Sequence, residues 1–179
     1  MRALPGELRA RQRLRDLWQP GDLFHNFSRY PRRRGAKKVD RLAGILSKGI
    51  VAPASCDDGA VSSDLHLVVT GSSVPYDSLV FLHRFGPQSG IYTISEPGRI
   101  TIFVDPKIPV LTPEDMGPAW VVLSQDEVYV RDRIPAERLI AVAVHPADAD
   151  SVRDEYLSDL ERLGIPLYLY DGDAVWPLA

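Results

Sequence analysis

Short apolar runs separated by turn residues are the feature that most restricts the fold of this chain. They are rich in valine and isoleucine, too short for helices, and suited to the pleated surface of a sheet. Fifteen prolines and thirteen glycines supply the turns between them. The pattern predicts strands over 22–27, 65–70, 79–83, 91–94, 100–104, 120–123, 128–130, 139–144 and 167–170.

Three segments have the apolar spacing of a helix instead. One lies within 39–46 and precedes Gly49, which stands where a helix C-cap is expected. A second, over 148–163, ends at Gly164, and a third, over 8–18, is stopped by Pro20 and Gly21. The apolar faces are Val39, Leu42, Ile45 and Leu46 in the first, and Val152, Tyr156, Leu157, Leu160 and Leu163 in the second. The class is therefore α+β and strand-rich.

A length of 179 residues, 45% of them hydrophobic, suits one compact domain. We expect an N-terminal helical extension over 1–21 and a single domain over 22–179. Cys56 is the only cysteine, so a thiolate-rich zinc site is excluded, and the four histidines lack ligand spacing, so no metal is predicted. No apolar run approaches the roughly 18 residues of a membrane span, and no secretory signal is visible. We expect a soluble, cytoplasmic protein.

The net charge of −3 hides a strong asymmetry along the chain. Residues 1–48 carry a net +9, with thirteen basic and four acidic side chains, and the remainder carries −12. A basic segment over 29–38 contains three consecutive arginines, Arg32, Arg33 and Arg34. Such a cluster suits phosphates or nucleic acid. The alternative is a solvated basic face balanced by the acidic part of the same domain.

Four different short motifs follow one another along the chain. The sequence LFHNFS at 23–28 is followed by GILSKGIVAP at 44–53, and much later EVYV at 127–130 precedes LIAV at 139–142. Together they resemble the catalytic domain of the ADP-ribosyltransferase superfamily, particularly its poly(ADP-ribose) polymerase-like branch. That branch has a His-Gly-Ser type strand, a Gly-Ile-Leu-Ser-x-Gly-Leu type helix and a Glu-Tyr-Ile-Val type strand. The match covers roughly 22–54 and 120–145, and 44–53 is its most specific part.

The resemblance implies a fold of two packed, mainly antiparallel sheets with a few short helices. It implies an NAD-dependent mono-ADP-ribosyltransferase or NAD glycohydrolase that releases nicotinamide and uses NAD as its substrate. The acceptor would be a protein or a nucleic acid, and nucleic acid is favoured because the arginine cluster exceeds what one pyrophosphate needs. Polymer synthesis is disfavoured, because a regulatory or acceptor-binding domain does not fit in this length. The expected role is that of a bacterial-type toxin or defence effector, and a toxin would imply an antitoxin partner.

Glu127 is the catalytic acid that the resemblance implies. NAD loses nicotinamide through an oxocarbenium-like transition state, as glycosidic bonds generally do. A carboxylate that faces the developing positive charge stabilises that state more than the ground state. Gln125 lies two residues earlier, so on a strand its side chain shares a face with Glu127. In many relatives a Gln or Glu at this offset orients the acceptor.

The resemblance assigns His25 to a hydroxyl of the adenosine ribose. It assigns the backbone of Asn26 to the nicotinamide amide and the side chain of Ser28 to a further hydrogen bond. The chain departs from the family here, because Asn26 replaces the usual glycine and Phe27 separates it from the serine. Without the later motif that begins at Glu127, His25 would be interpreted as a structural or solvent-tipped histidine. The alternative for Glu127 is an ordinary exposed strand acid.

The residue that stacks on nicotinamide is less defined. The family's tyrosine, in a Gly-x-Tyr-Phe strand, falls on Val80. Phe81, Phe85 or Tyr92 would stack instead, although core packing is the favoured role for Phe81. The region from Phe81 to Tyr92 also resembles DNA-modifying ADP-ribosyltransferase toxins, in which an arginine approaches NAD or the substrate. Arg84 is the corresponding candidate.

Two other functions stay open at this point. An RNA 2′-phosphotransferase shares the fold, although its arginine–histidine pattern is not evident here. A catalytically degenerate fold that binds nucleic acid through the basic segment is the other, and NAD turnover distinguishes it from both enzymes. Phosphate-loop, dinucleotide-fingerprint and zinc-protease motifs do not occur in the sequence.

Overall fold

The structure is a computed structural model that describes residues 19–30, 39–53, 76–86, 96–117, 126–170 and 172–177. Two α-helices are described, α1 (Arg41–Lys48) and α2 (Pro146–Leu163). The strands are β1 (Leu23–Ser28), β2 (Ile50–Val51), β3 (Leu79–Arg84), β4 (Arg99–Val104), β5 (Glu127–Arg131), β6 (Arg133–Ile134), β7 (Leu139–Val144), β8 (Leu167–Leu169) and β9 (Ala174–Trp176). Short 3₁₀ turns occupy Tyr76–Ser78, Pro113–Met116 and Ala136–Arg138.

Seven strands form one mixed sheet in the order β5-β3-β1-β4-β7-β8-β9, and β2 pairs with β6 in a separate two-stranded sheet. All neighbours are antiparallel except β7 and β8, which are parallel. The α+β class and the mainly antiparallel pairing are confirmed. The described strands form one seven-stranded sheet, in which β1 pairs on both of its edges, and the separate β2–β6 pair. The expected ADP-ribosyltransferase arrangement of two packed sheets stays a prediction.

The two edges of β1 are paired to different extents. Along β4 the pairing runs through six positions, from Leu23↔Val104 to Ser28↔Arg99. Along β3 it consists of Leu23↔Arg84 and Phe24↔His83. The β3–β5 pair, which has five positions from Leu79↔Arg131 to His83↔Glu127, is therefore joined to the rest of the sheet through a short ladder.

Both helices cover one face of this sheet. The main core is built from apolar residues of α1 and α2 and the alternate strand positions that point toward them, such as Leu23, Val80 and Ile102. Helix α2 connects the parallel strands β7 and β8, a connection that parallel neighbours require. It begins two residues before the predicted helix over 148–163 and ends at the same residue. Leu157, expected on its apolar side, is 37% exposed, because the buried stripe passes through Val152, Tyr156 and Leu160 instead.

Where the chain is described, the predicted elements are confirmed to within one or two residues at their ends. Strands β2, β6 and β9 were not predicted, because two or three residues carry too little periodicity. The helix over 8–18 and the strands over 65–70, 91–94 and 120–123 lie outside the described residues. No helix of the described residues is both long and apolar enough to cross a membrane.

Gly49 explains part of the GILSKG sequence without reference to a ligand. It ends α1 with φ +84°, and its N–H donates to the Ile45 carbonyl oxygen at 2.8 Å. A Cβ at this position would overlap the carbonyl oxygen of Ile134. Glycine therefore lets the chain leave the helix and pair Ile50 with Ile134 at once.

Candidate active site around Glu127

Glu127 is the first residue of β5 and is only 4% exposed. The Tyr129 hydroxyl donates a hydrogen bond of 3.0 Å to Glu127 Oε2. The two side chains meet because residues two apart on a strand share a face. Among the described residues, no lysine, arginine or histidine forms an ion pair with this carboxylate. Because buried carboxylates usually have a cationic partner, a nearly buried one without such a partner among the described residues is a candidate functional position.

Glu127 belongs to a row of side chains that crosses three neighbouring strands. It pairs with His83 of β3, and His83 pairs with Phe24 of β1. The rings of Phe24 and His83 stack with their centroids 5.3 Å apart. We call this side of the sheet the carboxylate face; by strand alternation it also bears Phe81 and Tyr129. It is the face opposite to the two helices.

Asn26 adds a polar group to the carboxylate face, since it lies two residues beyond Phe24 on β1. Its side-chain oxygen Oδ1 is buried and has no hydrogen-bond partner among the described residues. An unsatisfied buried acceptor is costly unless a ligand or water supplies a donor. The prediction concerned the backbone of Asn26, so its side chain is an addition that the structure makes.

His25 points to the other face of the sheet, together with Leu23 and Phe27. It is 5% exposed, and its ring stacks on Phe27 at 5.5 Å. Nδ1 lies 3.1 Å from the backbone carbonyl oxygen of Phe81. A carbonyl only accepts, so Nδ1 carries the proton. The side chain thus links β1 to β3 beyond their short ladder.

The pair expected to share one ligand, His25 and Glu127, is therefore not brought together on one face. The register decides this, because Phe24, and not His25, stands in the row of Glu127. The role of His25 in binding NAD stays a prediction. What the structure describes is a contact with the Phe81 carbonyl that holds two strands together.

The other candidates that the structure describes have varied surroundings. Phe81 is buried and meets the Tyr129 ring edge-on at 5.2 Å. The Ser28 hydroxyl accepts a hydrogen bond of 3.1 Å from Arg99. Arg84 is half-buried at the end of β3, and its pairing with Leu23 puts its side chain on the face of His25. Gln125, Tyr92, Arg32, Arg33 and Arg34 lie outside the described residues.

Arg29, the first residue of the basic segment over 29–38, is neither solvated nor available to a phosphate. It is 3% exposed, and its guanidinium donates to Asp40 at 3.1 Å, to Ser151 at 3.2 Å and to Glu155 at 2.6 Å. Burial alone would lower the pKa of Arg29, but hydrogen bonds to Asp40 and Tyr156 outweigh it and raise the pKa above its usual value. Because its charge is compensated inside the protein, Arg29 does not serve an external phosphate.

The ends of that basic segment are held together. The backbone N–H of Arg41 donates to the Arg29 carbonyl oxygen at 3.0 Å. Asp40 also caps α1 by accepting from the Leu42 N–H at 3.0 Å, and it accepts a hydrogen bond from the Tyr156 hydroxyl. The two ends of the segment between Arg29 and Arg41 therefore lie side by side, next to α2.

Groups of three or more metal-ligating side chains do not occur among the described residues. Tyr129 and His83 are the two neighbours of Glu127 that sequence reasoning missed. Tyr129 was detectable, since strand alternation puts it on the face of Glu127. His83 was not, because its position depends on the register between β3 and β5.

No protein-family model matches the sequence, no curated protein matches it, and no solved structure matches it. The resemblance to ADP-ribosyltransferases therefore stays a prediction from the four ordered motifs in the sequence, and the chemical interpretation of the site rests on its own geometry.

Proposed function

We propose that this chain is an NAD-dependent ADP-ribosyltransferase or NAD glycohydrolase with Glu127 as its catalytic carboxylate. One observation carries the proposal: Glu127 is almost buried, accepts a hydrogen bond from Tyr129 and has no ion-pair partner among the described residues. An anion in that state interacts most strongly with a positive charge that forms beside it. The order of the four motifs supports the same conclusion.

The reaction breaks the bond between the ribose C1′ and the nicotinamide nitrogen. The bonding electron pair leaves with nicotinamide, and the ribose acquires oxocarbenium character. Water or an acceptor nucleophile then forms the new bond to C1′ and loses its proton to solvent. Glu127 stabilises the positive charge that exists only during this exchange, so its effect falls on turnover more than on binding.

Neighbouring groups on the carboxylate face suit the remainder of such a substrate. The Asn26 side-chain oxygen can accept a hydrogen bond from the amide group of nicotinamide. Stacking of Phe81 on nicotinamide stays a prediction, because its ring is buried against Tyr129. Gln125, two residues before Glu127, would orient an acceptor on the same side. The proposal rests on Glu127 and not on a His25–Glu127 pair, since these two project from opposite faces.

The acceptor follows from the charge asymmetry of the sequence. Arg32, Arg33 and Arg34 suit a polyanion, so a nucleic acid is the acceptor we favour over a protein. In this proposal the chain acts in the cytoplasm as a bacterial-type toxin or defence effector, with an antitoxin as its partner. The fold that the proposal assigns is that of the ADP-ribosyltransferases.

Labelled NAD tests the proposal directly. The chain is incubated with NAD carrying label on the ADP-ribose part, either alone or with protein, DNA or RNA, and free nicotinamide is quantified. We expect nicotinamide release and label on a nucleic acid, or labelled ADP-ribose when water is the acceptor. Removal of a 2′-phosphate from RNA would identify the phosphotransferase instead. Nucleic-acid binding without NAD turnover would identify the non-catalytic module and overturn the proposal.

A further inference from the structure

Both the backbone and the ring of Tyr129 are fixed by contacts with neighbouring residues. It is 0% exposed, and its backbone bonds to Leu111 in both directions, at 2.7 and 2.9 Å. On its other edge it pairs with Phe81 of β3, whose ring also meets the Tyr129 ring. Leu79 and Met116 complete the packing around that ring. Because the backbone and the ring are held by these contacts, the position of the Tyr129 hydroxyl is fixed as well.

The hydroxyl meets one of the two carboxylate oxygens of Glu127. It donates to Oε2 at 3.0 Å, and Tyr129 is the hydrogen-bond partner that the described residues offer this carboxylate. A glutamate side chain has three rotatable bonds, and fixing them costs conformational entropy. A single charge-assisted hydrogen bond from a rigid donor fixes the orientation of the carboxylate in advance. Oε1 is then the oxygen left for a ligand.

We propose that Tyr129 is a positioning residue for the reaction, which aims Oε1 of Glu127 at the ribose by engaging Oε2. This inference rests on the proposed function, because it assigns the ligand of Oε1. Tyr129 itself does not touch the substrate. Its contact exists before NAD binds, so it lowers the cost of reaching the transition state without adding to the affinity for NAD.

The test is Tyr129→Phe, which removes one oxygen atom and keeps the ring that packs on Phe81. We expect kcat for nicotinamide release to fall about 10- to 100-fold, the scale of one hydrogen bond to a charged group. The KM for NAD should change by less than about twofold, because ground-state binding is untouched. Tyr168→Phe is the matched control, since it removes another buried tyrosine hydroxyl on β8, at the far side of the sheet.

A double-mutant cycle separates positioning from general packing. If Tyr129 acts through Glu127, Tyr129→Phe should cause no further loss of kcat in a Glu127→Gln background. Met116→Ala provides a second route, because it loosens the packing of the Tyr129 ring and leaves the hydroxyl in place. It should lower kcat by a smaller factor at constant KM, and this effect too should vanish in the Glu127→Gln background.

The outcomes are distinguishable. An active parent with an unimpaired Tyr129→Phe variant overturns the inference and leaves the proposed function intact. Equal losses in Tyr129→Phe and Tyr168→Phe, or additive losses in the cycle, also overturn it, since both indicate a merely structural tyrosine. A parent that releases no nicotinamide overturns the proposed function, and the positioning role with it.

Discussion

The Arg29 guanidinium lies 2.6 Å from Glu155 Oε2, although 126 residues separate the two in the sequence. Through this contact the end of β1 is tied to the middle of α2. Asp40 joins the same cluster from the start of α1, and the Tyr156 ring lies beside the guanidinium at 5.3 Å. Three elements thus meet at one buried charge, which makes this cluster important for stability and for the geometry of the basic segment.

The first prediction concerns alkaline stability. Burial, followed by the hydrogen bond to Asp40, raises the pKa of Tyr156, and burial also raises the pKa of Tyr170. Below the ordinary tyrosine pKa of about 10 both states keep the proton. Above it the unfolded state loses the proton first, so the free energy of unfolding should fall as the pH rises further. Urea unfolding at about pH 8 and about pH 11 measures this.

Tyr156→Phe is the variant for that experiment. Because phenylalanine does not titrate, the fall in stability between the two pH values should be smaller than in the parent, and Tyr170→Phe in addition should reduce it further. Identical pH dependence in the parent and in both variants would rule out these tyrosines as its source.

A second prediction compares the effect on stability of replacing Gly49, the C-cap of α1, with that of replacing Gly44 within the same helix. Gly49→Ala should lower the free energy of unfolding by more than about 1 kcal/mol, since Gly49 has a positive φ and its Cβ would meet the Ile134 carbonyl. Gly44→Ala is the control: it is exposed within α1, and a Cβ there meets nothing within 4 Å. It should raise stability by about 0.5 to 1 kcal/mol. Equal effects in denaturant titrations would refute the close approach.

The third prediction concerns Glu127. Glu127→Gln preserves the shape of the side chain and removes its charge, so turnover of NAD should fall about a hundredfold or more. NAD binding should weaken much less, because the charge acts mainly in the transition state. Glu137→Gln, the same change at an exposed position, is the control. Nicotinamide release near the parent rate in Glu127→Gln would remove Glu127 from the mechanism.

His25 gives a prediction with two separable readouts. His25→Ala removes the ring N–H that donates to the Phe81 carbonyl oxygen and links β1 to β3, so the free energy of unfolding should fall by about 1 to 3 kcal/mol. If His25 also binds the adenosine ribose, the KM for NAD should rise and the increase in melting temperature caused by NAD should shrink. A destabilised variant with unchanged NAD protection would assign His25 a purely structural role.

The last prediction concerns Arg32, Arg33 and Arg34. If they hold a nucleic-acid acceptor, replacing all three with Ala should reduce oligonucleotide affinity and flatten its salt dependence, by roughly one unit of log–log slope per lost phosphate contact. NAD hydrolysis without acceptor should change little. The control removes three exposed arginines elsewhere, Arg131, Arg133 and Arg138. A raised KM for NAD with unchanged oligonucleotide binding would assign the cluster to NAD instead.

Local pattern accounts well for the elements of this fold. Strand β7 was predicted with its observed bounds, and Gly49 and Gly164 end the two helices as expected. These features depend on the spacing of apolar residues and on backbone conformations that neighbouring residues determine. The exposure of Leu157 shows what apolar spacing does not predict. Five apolar positions fit one side of α2, but Leu157 is not buried when this helix packs against the sheet.

In the candidate site, too, some features follow from the local sequence and others depend on the packing of the strands. Sequence alone selected Glu127. Strand alternation could have indicated that Tyr129 shares its face, but only the structure shows the hydrogen bond between the two side chains. The neighbour His83 and the separation of His25 from Glu127 depend on which residues face each other across β1, β3 and β5. A shift of one residue in that register would move His25 to the carboxylate face. The register is decided by how strands that are far apart in the sequence pack against each other.

The sequence by itself thus determined the α+β class, the bounds of the main strands and helices, and Glu127 as the candidate acid, because short-range periodicity and motif order carry that information. The tertiary structure alone decided that one seven-stranded sheet forms, that Arg29 is buried, and that Glu127 has Tyr129 as its partner and lacks an ion pair among the described residues. These outcomes depend on contacts such as Arg29–Glu155, between residues far apart in the chain. Burial and pairing at that range arise from the packing of whole elements, which single-residue preferences do not specify.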